Sequence, residues 1–408
     1  MYPQISDLLS DLLGINICLP IQTFGFFMAL GFFAGFLWLR YEFKRLEAAG
    51  NLTGKKINIA IGQNPTAAEL LVNGLIGGLL GFKLVPIVAN WCAFSKNPQD
   101  YLVTRDGSLI GAIIGAVLIS GLIWWSKKKQ ALPKPQIVEE TIYPHHRVGD
   151  IIIIAAIFGI LGAKLFNWIE DWEGFLRNPV NHLLSFAGLN FYGGLICAAI
   201  ALLVYAHKQG IPPRRLLDVA APALFIAYGV GRLGCHFSGD GDWGIANPQP
   251  KPFDGMPNWA WAYHYPNNVV MAMNPSEIAC YQNQQTLEII TKDVHAALPP
   301  AEAVQYAHAL CEPVWPTSVY EFMLCSILFL ILVALRKRLT PVPGILFAMY
   351  LIFNGVERFL IETIRVNERY SSFFNLTQAQ TIAIALIILG IGLGIFFYQK
   401  KNEQPNLS

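Results

Sequence analysis

Residues 151–168 have the sequence IIIIAAIFGILGAKLFNW, in which Lys164 is the one charged side chain. An α-helix needs about 20 mostly apolar residues to cross a bilayer, so this stretch predicts a transmembrane helix. Further apolar runs, each bounded by polar or Pro-containing segments, lie on both sides of it. Together they predict about nine spans, at residues 21–39, 67–89, 108–125, 151–168, 189–206, 216–233, 319–335, 344–361 and 379–398.

The composition supports a membrane protein and excludes other classes. Of the 408 residues, 54% are hydrophobic and 14% are charged, against about 25% charged residues in a soluble domain. The net charge of +2 provides no field that would hold a nucleic acid. The seven cysteines form neither a CxxC motif nor a cluster at metal-ligand spacing, so we expect no metal and no cofactor. The N-terminal residues lack the features of a cleaved signal peptide, so we expect the first span to be retained.

Basic residues are concentrated in alternate connections between the predicted spans. By the positive-inside rule those connections are cytoplasmic, which places the N-terminus outside and the C-terminus in the cytoplasm. The longest polar segment, residues 239–316, then lies outside as an extracytoplasmic cap between helices six and seven. The predicted fold class is therefore an all-α polytopic membrane protein, a single integral membrane domain over residues 1–408 that includes this cap. The basic residues are Arg40, Lys44, Arg45, Lys55, Lys56, Lys127, Lys128, Lys129, Lys134, Arg147, Lys208, Arg214, Arg215, Arg336, Lys337, Arg338, Lys400 and Lys401.

Two cysteines, Cys280 and Cys311, fall together in the predicted cap. In an oxidising compartment a disulfide between them would restrain a long, Pro-interrupted segment with little evident core. Two unpaired thiols are the alternative.

Two of the predicted helix pairs resemble each other. Residues 79–84, LLGFKL, are similar to residues 160–165, ILGAKL, and each stretch is followed by a Trp-bearing polar loop and a Gly-rich span. The pattern favours duplication of one helix pair, and the alternative is that Gly-rich spans resemble one another by composition. Lys83 and Lys164 suggest a transporter, but snorkelling to the interface explains both lysines without a transport pathway.

Charged side chains at membrane depth are costly and usually face a cavity, a partner or the interface. Residues 229–244, GVGRLGCHFSGDGDWG, predict a tight Gly-rich loop that presents Arg232 and nearby acids at one spot. At the end of the eighth predicted span, Arg358, Glu362 and Arg365 are spaced to share one helical face, where a salt-bridge ladder is the alternative to phosphate binding.

Two more segments with polar or glycine residues lie at the same predicted face of the membrane. Residues 316–321 contain Tyr320 and Glu321 where the cap returns to the membrane, and these side chains would cap a helix or complete a polar pocket. Residues 191–195 contain Gly193 and Gly194, for which helix packing is the alternative to ligand contact. All four segments are predicted to lie at one membrane face. Their combination suggests chemistry on a phospholipid, because guanidinium groups stabilise the charge on a departing phosphate.

These segments, in this order, resemble the prolipoprotein diacylglyceryl transferases, the membrane enzymes that begin bacterial lipoprotein maturation. The resemblance covers most of the chain, and its most specific part is the signature from Gly231 to Gly244. The matching segments are residues 21–25, 190–195, 231–244, 316–321 and 355–365.

The resemblance implies transfer of a diacylglyceryl group from phosphatidylglycerol to the lipobox cysteine thiol of a prolipoprotein, in the bacterial inner membrane and without a cofactor. It implies that prolipoprotein signal peptides and membrane lipids are the partners, and that members have about seven spans. The α-helical pair before residue 151 is then the candidate for an insertion. The implied catalytic residues are Arg232, Arg358, Glu362, Tyr192 and His236, and the implied substrate contacts are Gly193, Gly194, Gly231, Gly234, Asp240, Asp242, Gly244, Tyr320, Glu321, Asn354 and Arg365.

The chain departs from the family pattern at several positions. Tyr192 replaces a histidine, Cys235 an asparagine, and Phe24 and Asn354 two tyrosines. A phenol has a reference pKa of about 10 and is a poor resting base. His236 is a candidate base, with an exposed, non-catalytic loop histidine as the alternative. A catalytically inactive phospholipid- or lipoprotein-binding homologue is therefore the alternative function.

Overall fold

The structure is a computed structural model that describes residues 1–15, 19–91, 94, 104, 106–133, 136–179, 190–367, 369–370 and 375–402. Long α-helices account for most of these residues. In chain order the helices are α1 (Ile5–Leu13), α2 (Thr23–Ala48), α3 (Ala67–Ala89), α4 (Leu109–Gln130), α5 (Val148–Glu170), α6 (Trp172–Arg177), α7 (Phe191–Gln209), α8 (Pro213–Ser238), α9 (Val269–Met273), α10 (Lys292–Ala296), α11 (Pro300–Ala303), α12 (Thr317–Leu339), α13 (Ile345–Ile361) and α14 (Gln378–Asn402).

Eight helices among the described residues are long and apolar enough to cross a membrane. The prediction of an all-α polytopic membrane protein is therefore confirmed. The remaining predicted span, residues 344–361, forms α13, whose 17 residues reach about 25 Å. That is shorter than a hydrocarbon core of about 30 Å. The eight helices are α2, α3, α4, α5, α7, α8, α12 and α14.

The chain forms two compact units, and the second of them, Lys44–Gly210, contains two helix pairs. α3 packs on α4, and α5 packs on α7. Glycines bring the two backbones of each pair into contact. A Cβ atom on Gly81 would lie 2.1 Å from the carbonyl oxygen of Gly111, and one on Gly162 would lie 2.5 Å from that of Gly193. Small residues at such crossings are the usual means of tight packing between membrane helices.

The two helix pairs also share hydrogen bonds at equivalent positions. The N–H of Ser108 donates to the carbonyl oxygen of Phe82 at 2.9 Å, and the N–H of Asn190 donates to that of Ala163 at 3.1 Å. The side chains of Ser108 and Asn190 then cap α4 and α7, each accepting a hydrogen bond at 3.0 Å from the N–H three residues later. This agreement supports the duplication that the sequence echo predicts.

A two-stranded antiparallel sheet lies at one end of the α3–α4 pair. Strand β1 (Lys55–Ile61) precedes α3, strand β2 (Gln136–Ile142) follows α4, and the strands pair along their whole length. The segment that leads into α3 and the segment that follows α4 therefore lie next to each other. Beyond the other end, the ammonium group of Lys83 donates to the carbonyl oxygens of Thr104 and Asp106. This local contact explains Lys83 without a transport pathway.

The first unit comprises Met1–Ile15, Ile21–Phe43 and Ile211–Ser408, and its apolar core lies between α8, α12 and α13. A buried carboxylate fixes the start of α13 against α8. Asp218 accepts hydrogen bonds from the N–H groups of Gly344 at 2.7 Å and Phe347 at 3.1 Å. Free N–H groups at a helix N-terminus favour a negative partner, so this contact sets the position of α13. The core residues are Ala221, Phe225, Cys325, Leu332 and Leu346.

The segment between α8 and α12 contains a small three-stranded sheet and short helices. The strand order is β4 (Ile289–Thr291), β3 (Cys280–Asn283), β5 (Tyr306–Ala309). A disulfide joins Cys280 to Cys311, with 5.2 Å between the Cα atoms, which confirms the predicted pairing. The extracytoplasmic location of this segment stays a prediction. A further strand pair, β6 (Arg369–Tyr370) with β7 (Leu376–Thr377), precedes α14.

Removal of the disulfide should destabilise this segment. The bond closes a loop over a sequence separation of 31 residues, for which loop-closure entropy gives about 3 to 4 kcal/mol. We expect the Cys280→Ala/Cys311→Ala double variant to unfold at a lower temperature and to be cleaved faster by protease between residues 245 and 315. The matched control is Cys197→Ala, which removes a free thiol. Equal protease resistance in the double variant and the native protein would contradict the expectation.

Candidate functional site

The glycine-rich stretch at residues 229–234 is helical, and the prediction of a tight loop there is wrong. α8 continues to Ser238 and ends at Gly239, whose φ of 65° is the left-handed conformation that closes many helices. The glycines serve packing inside the first unit. A Cβ atom on Gly234 would lie 2.9 Å from the Cβ of Phe27, and one on Gly231 would lie 3.3 Å from the sulfur of Met28.

Glu321, in the second turn of α12, lies at the centre of a charged cluster and is 0% exposed. Its Oε1 accepts hydrogen bonds from the guanidinium groups of Arg232 at 2.8 Å, Arg358 at 3.2 Å and Arg365 at 3.5 Å. The hydroxyl of Tyr228 donates to the same oxygen at 3.0 Å. The other carboxylate oxygen lies 2.8 Å from Nε of Arg232. One buried carboxylate therefore gathers three arginines, which we call the arginine cluster.

Asp242 is a second carboxylate on the arginine cluster. One of its oxygens accepts from Arg232 and the other from Arg365. Burial alone would raise the pKa of Asp242, but the charges of Arg232 and Arg365 outweigh it and hold the pKa below its usual range. Its backbone carbonyl accepts from the hydroxyls of Thr317 at 2.8 Å and Ser318 at 3.0 Å. The start of α12 thus fixes the loop that carries Asp242.

The third carboxylate, Glu362, binds Arg358 at 3.1 Å, as the spacing of four residues predicts. Arg365 does not share their helical face, and that prediction is wrong. α13 ends at Ile361, a 3₁₀ turn covers Glu362–Ile364, and Arg365 has extended backbone angles. Arg365 therefore reaches the cluster from the segment that follows the helix.

Gly244 closes the loop against its neighbours. Its N–H donates to the carbonyl oxygen of Trp315 at 2.8 Å, and Ile245 donates to that of Ile364 at 2.9 Å. A Cβ atom on Gly244 would lie 2.4 Å from the oxygen of Ile364 and 2.9 Å from Cγ2 of Thr317. The glycine is required because three segments meet there, and a larger side chain would collide with them.

The other predicted glycine contacts also serve packing. In the second unit, a Cβ atom on Gly193 would lie 2.3 Å from the Cβ of Phe166, and one on Gly194 would lie 2.7 Å from the carbonyl oxygen of Gly159. Both glycines therefore hold α7 against α5, as the helix-packing alternative predicts. Tyr192 lies beside them in the first turn of α7.

His236 lies among aromatic rings and is 5% exposed. Its Nδ1 is 3.3 Å from the hydroxyl of Tyr265, and the rings of Phe237, Trp259 and Tyr263 surround it. Burial raises the pKa of Tyr263 to about 12, so its phenol is neutral at physiological pH. None of these described contacts involves the arginine cluster. The arrangement supports a structural role for His236, but the prediction of an exposed loop histidine is wrong, because the residue is buried within α8.

The hydroxyl of Tyr320 donates to the carbonyl oxygen of Ala260 at 2.9 Å, which ties α12 to the segment before it. Asn354 lies on α13 one turn before Arg358 and is partly buried. Sequence reasoning assigned no role to Glu357, which is 2% exposed and has no hydrogen-bond partner for either oxygen among the described residues. The only signal was a charge inside an apolar run.

Three residues next to the cluster have cation-ligand chemistry. The Cys235 sulfur and oxygens of Asp240 and Asp242 lie within 4.8 Å of one another. Burial and the charge of Asp242 raise the pKa of Asp240. Both oxygens of Asp242, however, already bind guanidinium groups. A divalent cation there would face two arginines, so the electrostatics favour an anion instead.

The arginine cluster has the donor groups that a phosphate requires. Guanidinium forks match phosphate oxygens in pairs, and this geometry is specific to arginine. Arg358 is the most accessible of the three, with 25% of its side chain exposed, against 10% for each of the other two. The family model of prolipoprotein diacylglyceryl transferase matches residues 130–396 of this chain.

The chain belongs to the prolipoprotein diacylglyceryl transferase family.

Relatives in several bacteria carry the name phosphatidylglycerol–prolipoprotein diacylglyceryl transferase. The protein of Staphylococcus haemolyticus is 26% identical over 262 residues, which cover 64% of this chain and 76% of that protein. The protein of Dehalococcoides mccartyi is 27% identical over 294 residues, which cover 71% and 88% of the two chains. That of Streptococcus uberis is 31% identical over 257 residues, which cover 62% and 80%.

The family match leaves out the first helices of the chain. It begins at residue 130, the last residue of α4, so α3 and α4 lie before the matched part. Helices α1 and α2 also precede the matched part. The α3–α4 pair stays the predicted insertion, which is supported by its sequence similarity to the α5–α7 pair and by the hydrogen bonds that the two pairs share.

Neutralising Glu321 should loosen the arginine cluster. Glu321→Gln keeps the size of the side chain but leaves three guanidinium groups close together without their shared counter-charge. Breaking a buried ion pair from one side costs about 3 to 5 kcal/mol. We therefore expect a clearly lower thermal unfolding midpoint, whereas the exposed control Glu312→Gln should change it little. An unchanged midpoint in Glu321→Gln would show that the carboxylate does not hold the cluster.

Proposed function

We propose that the chain transfers a diacylglyceryl group from phosphatidylglycerol to the lipobox cysteine thiol of a prolipoprotein. The arginine cluster, in a member of this family, is the observation that carries the proposal. Prolipoprotein signal peptides and membrane lipids are the proposed partners, and nucleic acid is not, because the net charge is only +2. The proposed location is the bacterial cytoplasmic (inner) membrane.

The proposed reaction is a substitution at the headgroup-bearing carbon of the diacylglycerol. The thiol sulfur forms a bond to that carbon, the bond from carbon to the phosphate oxygen breaks, and glycerol phosphate leaves with the electron pair. Negative charge accumulates on the phosphate as it departs. Arg232 and Arg358 are proposed to stabilise this charge, because fixed donors in a partly dehydrated site act more strongly than water. Glu362, 3.1 Å from Arg358, is proposed to orient that guanidinium.

The thiol proton does not require a histidine at position 192. The departing glycerol phosphate is a phosphate monoester, whose second pKa is about 6. That is close to the reference value of about 6.5 for histidine. The reaction therefore produces a proton acceptor of similar strength as the carbon–oxygen bond breaks, and the replacement by Tyr192 is compatible with turnover.

The proposed topology has the N-terminus and residues 239–316 outside and the C-terminus in the cytoplasm. The distribution of basic residues supports it through the positive-inside rule. The disulfide between Cys280 and Cys311 supports it independently, because disulfides persist in oxidising compartments. Both arguments support the proposal that the arginine cluster, beside the base of this segment, lies near the outer leaflet.

A single assay tests the function. The purified protein is incubated with phosphatidylglycerol and a peptide that contains a lipobox, and the peptide mass is measured. We expect the increment of one thioether-linked diacylglyceryl group, and no increment for a peptide with Ser in place of the lipobox Cys. Absence of the increment with demonstrated phosphatidylglycerol binding would favour the inactive lipid-binding homologue, which the departures at Tyr192 and Cys235 suggest.

The two proposed phosphate ligands should each require the guanidinium group. Arg232→Lys and Arg358→Lys keep the positive charge but lose the paired donors. Loss of one hydrogen bond to a charged group costs about 1.5 to 3 kcal/mol, so transfer should slow by about tenfold to a hundredfold. The control is Arg177→Lys, at an exposed surface ion pair, which should be fully active. Normal turnover in both lysine variants would contradict the phosphate clamp.

Tyr192 is proposed to donate a hydrogen bond and not to act as the base. Tyr192→Phe removes the hydroxyl alone, so the rate should fall by about tenfold to a hundredfold, the effect of one hydrogen bond to a charged group. Tyr192→His should be tolerated or mildly activating. An inactive Phe variant, together with a pH profile in which the native enzyme requires a deprotonated tyrosine, would identify Tyr192 as the base.

A further inference from the structure

The two carboxylates that join Arg232 to Arg365 differ in how they are held. Glu321 is 0% exposed and has contacts to three guanidinium groups and a phenol. Asp242 has 34% of its side chain exposed, and its two oxygens contact one guanidinium group each. Glu321 is therefore a permanent part of the cluster, whereas Asp242 is held at its edge, next to solvent.

The backbone of Asp242 does not need to move for its carboxylate to leave the cluster. Its carbonyl oxygen is fixed by Thr317 and Ser318, and its N–H donates to a carboxylate oxygen of Asp240 at 3.3 Å. Rotation about the side-chain bonds is then enough to release both arginines. Such rotations are among the fastest motions of a protein.

A carboxylate and the phosphate of a phosphodiester present the same features to two arginines. Each carries one negative charge and offers two oxygens to paired N–H donors. In the cluster, three guanidinium groups are matched by the carboxylates of Glu321, Glu362 and Asp242. Replacing the Asp242 carboxylate by a phosphodiester would leave this balance unchanged.

We propose that Asp242 is an exchangeable ligand of the arginine cluster: the substrate phosphate displaces its carboxylate from Arg232 and Arg365, so that Arg365 joins Arg232 and Arg358 as a phosphate ligand. The proposal rests on the proposed function for the identity of the substrate, a phospholipid with a singly charged phosphodiester. After the carbon–oxygen bond breaks, the Asp242 carboxylate returns to Arg232 and Arg365 and competes with glycerol phosphate for them. The returning carboxylate thus compensates the positive charge of Arg232 and Arg365 while the product leaves.

Binding of inorganic phosphate to the purified, detergent-solubilised protein tests the exchange without turnover. In Asp242→Asn the competing carboxylate is absent and the side chain has nearly the same size. We expect this variant to bind inorganic phosphate at least about tenfold more tightly than the native protein, because phosphate no longer displaces a charge-assisted pair. Asp242→Glu, which keeps a carboxylate within reach, should bind phosphate with nearly native affinity.

Asp240→Asn is the control that distinguishes displacement of the Asp242 carboxylate from the mere loss of one negative charge near the cluster. It removes a neighbouring carboxylate whose described hydrogen bonds include none to a guanidinium group, so the phosphate affinity should rise far less. Equal gains in the Asp240 and Asp242 variants, or no gain in Asp242→Asn that still shows a cooperative unfolding transition, would overturn the proposal. If Asp242→Asn does not fold, Asp242→Ser, which also lacks the carboxylate, takes its place: a gain in phosphate affinity over the native protein supports the exchange, and an unchanged affinity overturns it.

The transfer assay keeps the two proposals distinguishable. If the native protein transfers no diacylglyceryl group but the Asp242→Asn gain in phosphate affinity appears, the exchange stands and the proposed enzymatic function fails. If transfer occurs but the gain does not appear, the function stands and the exchange fails. For an active protein we also expect inhibition by added glycerol phosphate to be stronger in Asp242→Asn, since the returning carboxylate is missing.

Discussion

The ion pairs of Glu321 are the interaction on which the rest of the site depends. A buried carboxylate with no counter-charge is prohibitively costly, and three arginines without a shared anion repel one another. Neither the Glu321 carboxylate nor the group of three arginines is therefore stable without the other, and each of these residues requires its own segment to be in one position. Arg232 comes from α8, Glu321 from α12 and Arg358 from the end of α13. The packing of these three helices and the geometry of the site therefore depend on each other.

Several contacts distant from the charges serve this constraint. Asp218 fixes the start of α13 against α8, and the apolar core around Phe225 and Cys325 fills the space between the helices. Gly234 lets α8 approach α2 closely, and Gly244 lets the loop after α8 pass between α12 and the end of α13. Because protein interiors are close-packed, a shift of one helix would be transmitted to the others. The glycines of the family signature therefore shape the site through the close packing that they allow.

The sequence predicts the helices and local pairs well, because these depend on neighbours along the chain. Apolar runs predict the spans, and a spacing of four residues predicts the contact between Arg358 and Glu362. Contacts between distant segments are less predictable. The stretch around Arg232 contains enough glycine for a loop, yet helix packing against α2 keeps it helical to Ser238. Likewise, helical spacing places Arg365 beside Glu362, but α13 ends first and Arg365 binds Asp242 instead. The central role of Glu321 has no local signal, since its three arginine partners are 37 to 89 residues away along the chain.

The α3–α4 pair, which is the predicted insertion, illustrates how a chain gains two helices without a change in the segments that flank them. β1 and β2 run antiparallel along their whole length, and paired strands lie about 5 Å apart. The inserted α3–α4 pair therefore begins and ends at nearly one point, so its insertion does not require the flanking segments to separate. Its own packing is satisfied internally, where Gly77, Gly81, Gly111 and Gly115 bring the two helices together. An element with adjacent ends and its own helix–helix interface requires no rearrangement of the segments on either side of it. The arginine cluster, by contrast, accepts no such change, because each of its charges depends on partners from the other helices.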